Sequence, residues 1–107
     1  MNKETTPLSE NDARSKSIDF ILEDFDWERV KRVMQLLNWK WAGPDGEKFP
    51  NFSEMRMVAK RLLTESVESG YYPTTLQTGG FIATAHSETW FSLSFSVANS
   101  DNHGMED

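Results

Sequence analysis

From Thr78 to Val97 the chain reads TGGFIATAHSETWFSLSFSV, and this stretch decides the fold. In its second half Phe91, Leu93, Phe95 and Val97 alternate with Ser92, Ser94 and Ser96, the period of two expected of a strand with one buried face. In its first half Phe81, Ala83 and Ala85 share one face, while Ile82, Thr84 and His86 share the other. The polar link His86-Ser87-Glu88 joins the two runs. Together they predict an antiparallel hairpin whose apolar face needs a cover.

Two upstream helical patterns can supply that cover. The first starts at Asp26, a good N-cap, with Phe25 and Val30 placed as the two partners of a hydrophobic staple. Trp27, Val30, Val33, Met34 and Leu37 then form one stripe at helical spacing, and Asn38 is a reasonable stop. The second starts at Asn51, with Glu54 closing a capping box. It carries Phe52, Met55, Val58, Ala59, Leu62, Leu63 and Ser66 on its inner arc, Met57 opposite, and Gly70 just past its end.

Between these helices, Trp39-Lys40-Trp41 alternates and is assigned as the first strand of the sheet, followed by a turn at Gly43-Pro44-Asp45-Gly46. Tyr71-Tyr72-Pro73-Thr74-Thr75 reads as a connecting loop. The short run Ile18 to Glu23 is either an edge strand or an extended lead into the first helix. Residues 1–17 are polar, contain Pro7 and show no hydrophobic period, which predicts a disordered arm; residues 99–107 predict a flexible acidic tail. The expectation is one α+β domain over 18–98. It is a two-layer sandwich in the order α-β-α-β-β, with two helices on one face of a three-stranded, mostly antiparallel sheet.

Composition narrows the function classes. A chain of 107 residues suits one domain with a modest core. It has no cysteine, which excludes disulfides, thiolate metal sites and a thiol nucleophile. No apolar run approaches the roughly 18 residues of a membrane span, and MNKETTPLSENDARSKS holds no apolar stretch of the kind a secretory leader needs. A cytoplasmic protein is the expectation. With 17 acids against 11 bases and a net charge of −6, the chain is poorly suited to nonspecific binding of nucleic acid.

Each candidate site has a plain structural reading beside the functional one. His86 lies at the hairpin tip and His103 in the tail. Neither place offers the buried, oriented base and oxyanion hole that nucleophilic catalysis needs, so no catalytic residue is assigned. Asp19, Glu23, Asp24, Asp26 and Glu28 form an acidic cluster that lacks the spacing and central glycine of a calcium loop. They read as a solvated surface, or as a patch for a basic partner. Gly79-Gly80 leads into a strand rather than a helix, so a positive-φ turn or bulge fits better than a phosphate loop.

Trp39 and Trp41, interleaved with Lys40, are assigned to the core over a base-stacking groove. Trp90 shares by alternation the face of Ser92, Ser94 and Ser96, where an exposed indole on a flat sheet would anchor a partner. Arg29, Arg32, Arg56, Lys60 and Arg61 could converge into a basic strip, the one feature that keeps nucleic acid in play. No cofactor or metal is expected.

The segments FDWERVKRVMQLLNWKWAGPDGEKFPN, SEMRMVAKRLLTESVES and TGGFIATAHSETWFSLSFSVA together resemble a family of small proteins of tailed bacteriophages and prophages. The resemblance covers about residues 19–97. It rests on an aromatic-acidic helix start, a Trp-x-Trp strand, a Pro-led helix and a Gly-Gly-Phe hairpin. That family has no assigned activity, so the resemblance implies a phage or bacterial origin and no catalytic residues. The resulting expectation is a non-enzymatic protein that binds a host or phage protein, with an anti-defence role in keeping with the family's company. Trp90, Ser92, Ser94, Asp19, Glu23 and Asp24 are the candidate partner-binding residues. A nucleic-acid module using the basic strip is the alternative, and a homodimer is left open.

Overall fold

The computed structural model describes residues 10–97. Its elements in order are α1 (Glu10–Asp24), α2 (Trp27–Leu36), β1 (Trp41–Gly43), β2 (Gly46–Lys48), α3 (Phe52–Glu68), β3 (Thr74–Thr78), β4 (Phe81–Ala85) and β5 (Phe91–Phe95). The architecture is α+β, as the patterning predicts. A three-stranded antiparallel sheet runs β3-β4-β5, and β1 and β2 form a separate two-stranded ribbon.

The hairpin from Thr78 to Val97 forms with Phe81 opposite Phe95 and Ala85 opposite Phe91. Its inner face is Phe81, Ala83 and Ala85, all fully buried, with Phe95 beside them. Helix α3 packs across all three strands, and α1 packs on α3. Phe81 is the hub of an aromatic core: its ring centroid lies 5.0 Å from Phe95, 5.7 Å from Trp27, 6.1 Å from Phe25 and 6.3 Å from Trp41. The Trp41 and Phe95 rings meet Phe81 edge-to-face, a geometry that adds to the area they bury. Helix α2 joins this core through Val30 and Met34.

The caps match the sequence reading. The Asp26 carboxylate accepts from the Arg29 N–H at 3.1 Å. Asn51 and Glu54 form a reciprocal capping box, at 2.8 and 2.9 Å. Asn38 and Gly70, each just past a helix end, take positive φ values of 50° and 78°. Trp39 and Trp41 do pack on the core. Trp39 meets Phe95, and the Trp41 indole N–H donates to the Gly79 carbonyl at 3.1 Å.

Four expectations are corrected. Residues 10–17 are not a disordered arm, and Ile18 to Glu23 is neither a strand nor an extended lead: both belong to α1. Ile18 and Leu22 are buried and recur at helical spacing, and the Arg14 side chain, only 19% exposed, continues that stripe toward the N-terminus. A stripe whose upper rung is an arginine shows no hydrophobic period. The expected arm over 1–9 and the tail over 99–107 lie outside the described residues.

The Trp39-Lys40-Trp41 run is not a strand of the main sheet. Trp41 opens the small ribbon, opposite Lys48, and the ribbon turns at Gly43 to Gly46 as expected. The third sheet strand is instead β3, whose Thr74–Thr78 stretch begins inside the segment read as a loop and pairs with β4 from Thr74–Ala85 to Thr78–Phe81. Only Leu76 is apolar in that strand, but β-branched threonines suit a half-exposed edge. Gly79 and Gly80 make the tight turn between β3 and β4, both at positive φ (59° and 91°), as a two-residue hairpin of this hand requires.

Candidate partner-binding surface

The link between β4 and β5 is closed by its own hydrogen bonds. The His86 and Ser87 N–H groups both donate to the Trp90 carbonyl, at 2.7 and 3.2 Å. The Ser87 hydroxyl oxygen accepts from the Thr89 and Trp90 N–H groups at 3.2 and 3.0 Å. His86 and Trp90 face each other across the hairpin, and their rings stack with centroids 4.0 Å apart and planes 21° apart. One indole face is thus fixed while the side chain stays 64% exposed.

Helix α1 reaches the same place. Arg14 lies 3.8 Å from Glu88, tying the helix to the link. Phe20, 69% exposed, lines with Ile21, Thr89, Trp90 and Phe91 an open groove of about 350 Å³. Two exposed aromatic side chains from different elements therefore border one apolar concavity. Phe20 is the residue that sequence reasoning missed. Its signal exists once the segment is read as a helix: Ile18, Ile21, Leu22 and Phe25 then take the inner side and leave Phe20 outside.

The other candidate residues are distributed as follows. Ser92 and Ser94 are exposed on the outer sheet face, opposite Thr84 and Ile82 in register. They are not part of the Phe20–Trp90 groove. Asp19 turns toward α3, where its Oδ1 lies 3.4 Å from Lys60 Nζ and 4.0 Å from the Arg56 guanidinium. That oxygen is covered and makes no hydrogen bond, so the contact is an ion pair without donor geometry. Asp24 is exposed, and Glu23 lines a different groove at the junction of α1 and α2. The acidic cluster of the sequence is therefore three separate environments.

Of the basic strip, Arg56 and Lys60 converge on Asp19, while Arg29, Arg32 and Arg61 are exposed. Outside the strip, Lys31 lies over the Phe52 ring at 5.2 Å and Lys40 over the Phe49 ring at 5.4 Å. Among the described residues no group of three or more His, Asp or Glu side chains could hold a metal ion. No described helix is long and apolar enough to cross a membrane. Among the described residues, Glu54 carries an electrostatic shift. Its hydrogen bond from the Asn51 N–H, followed by its contact with Lys48, holds the carboxyl below the ordinary glutamate range.

No family model, curated protein or solved structure matches the chain.

Proposed function

We propose that this protein is a non-enzymatic binding module that docks a protein partner through the Phe20–Trp90 groove. The observation that carries the reading is the exposed indole of Trp90, fixed by its stack on His86 at 4.0 Å and bordering the same concavity as exposed Phe20. Large aromatic side chains are over-represented among the residues that dominate binding energy, and a side chain already fixed in place loses little entropy on docking. The chemistry of the neighbourhood agrees: it offers apolar area and a hydrogen-bonding rim, with no arranged base, nucleophile and electrophile.

Nucleic acid is the weaker reading, because Arg56 and Lys60 are engaged by Asp19, and the half-buried Trp39 and Trp41 rings are already packed on Phe95 and Phe81. A phage or prophage origin, and with it action on a host or defence factor, belongs to the same proposal and is supported by the resemblance over residues 19–97.

The test is affinity capture from a nuclease-treated bacterial lysate, comparing the tagged protein with its Phe20→Ala, Trp90→Ala double variant. The expected result is a stoichiometric protein band that the variant loses while its circular dichroism stays unchanged. A band retained by the variant, or recovery of nucleic acid alone from a parallel lysate left without nuclease, would contradict the reading.

A further inference from the structure

A larger groove, about 740 Å³, lies where α1 meets α2 and faces the start of α3. Its apolar wall is Leu22, Phe25, Trp27 and Phe52. The wall is preorganised. The Trp27 indole N–H donates to the Leu22 carbonyl at 2.8 Å, satisfying one of the carbonyls that the end of α1 leaves open. The Trp27 ring also stands edge-on to Phe25 at 5.0 Å.

The charges of the lining are one-sided. Glu23, Asp26 and Glu28 all border the groove, against Arg56 in its lining and Lys31, whose ammonium stands over the Phe52 ring at 5.2 Å. Asp26 is occupied as the N-cap of α2, and Arg56 is shared with Asp19. Glu23 and Glu28 are exposed and form no ion pair among the described residues. An apolar occupant would strip water from these carboxylates without compensation, and an anion would be repelled. A cation on an apolar stem satisfies both parts of the lining, because aromatic faces attract cations and carboxylates pair with them.

We propose that this groove receives a basic segment of a protein partner, seating an arginine or lysine side chain between the Phe25–Trp27 pair and the Glu23 and Glu28 carboxylates. The proposal rests on the protein-binding reading and names the chemistry of a second contact on that partner. The two grooves share no lining residue, so each can fail alone.

The test titrates the isotope-labelled full chain with a capped peptide of alternating arginine and leucine. A second titration uses the same peptide with citrulline, the uncharged isostere, in place of arginine. The arginine peptide is expected to give saturable shifts at the Trp27 indole N–H and at the Glu23 and Glu28 amides. The citrulline peptide should bind about tenfold more weakly, as should the arginine peptide to a Glu23→Gln, Glu28→Gln variant. The Phe20→Ala, Trp90→Ala variant should bind the arginine peptide as the parent does. Absence of shifts at Trp27, equal binding of the citrulline peptide, or full affinity in the double glutamine variant would overturn the proposal.

Discussion

At the residue scale, the strongest constraints are where a side chain meets a backbone atom or another ring. Gly80 combines a φ of 91° with a neighbour: a Cβ there would lie 2.5 Å from a ring carbon of Phe95. Gly70 has a similar φ of 78° but open space around it. Gly80→Ala should therefore cost about 2–4 kcal/mol in urea unfolding, and Gly70→Ala only about 1 kcal/mol. Equal costs would show that conformation alone decides both. Glu54 makes a pH prediction. Its carboxyl is held below the ordinary range in the folded chain, so its contribution is fully present above roughly pH 5 and fades as pH falls through the lowered value. Glu54→Gln should flatten the acid limb of the stability profile, read by thermal melts at a series of pH values. The caps at Asp26, Asn51 and Glu54 were legible in the sequence because their bonds close within a few residues. The second reason for glycine at 79 and 80, the Trp41 and Phe95 rings lying against them, was not legible, because those rings arrive from distant segments.

At the element scale, α2, α3, β4 and β5 declared themselves through a complete apolar period. Helix α1 and strand β3 did not, each for a physical reason. Helix α1 buries little beyond Ile18 and Leu22, and its stripe passes through Arg14. Strand β3 is an edge strand of threonines that takes its order from pairing with β4. Both elements depend on tertiary packing that no local window contains. The account separates the two sides of α1 sharply. Leu22→Ala should destabilise by about 2–5 kcal/mol, since the side chain is fully buried. Phe20→Ala, removing a ring that is 69% exposed, should stay within about 0.5 kcal/mol. Denaturant midpoints of the two variants check this, and comparable losses would mean that α1 sits otherwise. The candidate site was half legible for the same reason: alternation marked Trp90, but its groove partner Phe20 follows only from the helix.

At the scale of the whole molecule, the chain carries a net charge of −6, while the two grooves assigned to a partner differ in chemistry: one uncharged but for Lys16 and flanked by Phe20 and Trp90, the other acidic and aromatic. The sheet leaves its outer face, with Ser92 and Ser94, open to solvent. An acidic body with preset apolar anchors suits a partner that brings apolar area and basic charge. The most direct measurement is site-specific photo-crosslinking in bacterial lysate, with a benzophenone amino acid placed at position 20 and, as control, at Met57, which is similarly exposed and lines neither groove. The account predicts one discrete adduct with a protein partner from position 20, abolished by Trp90→Ala, and none from position 57. No adduct from position 20, or the same adducts from both positions, would contradict it.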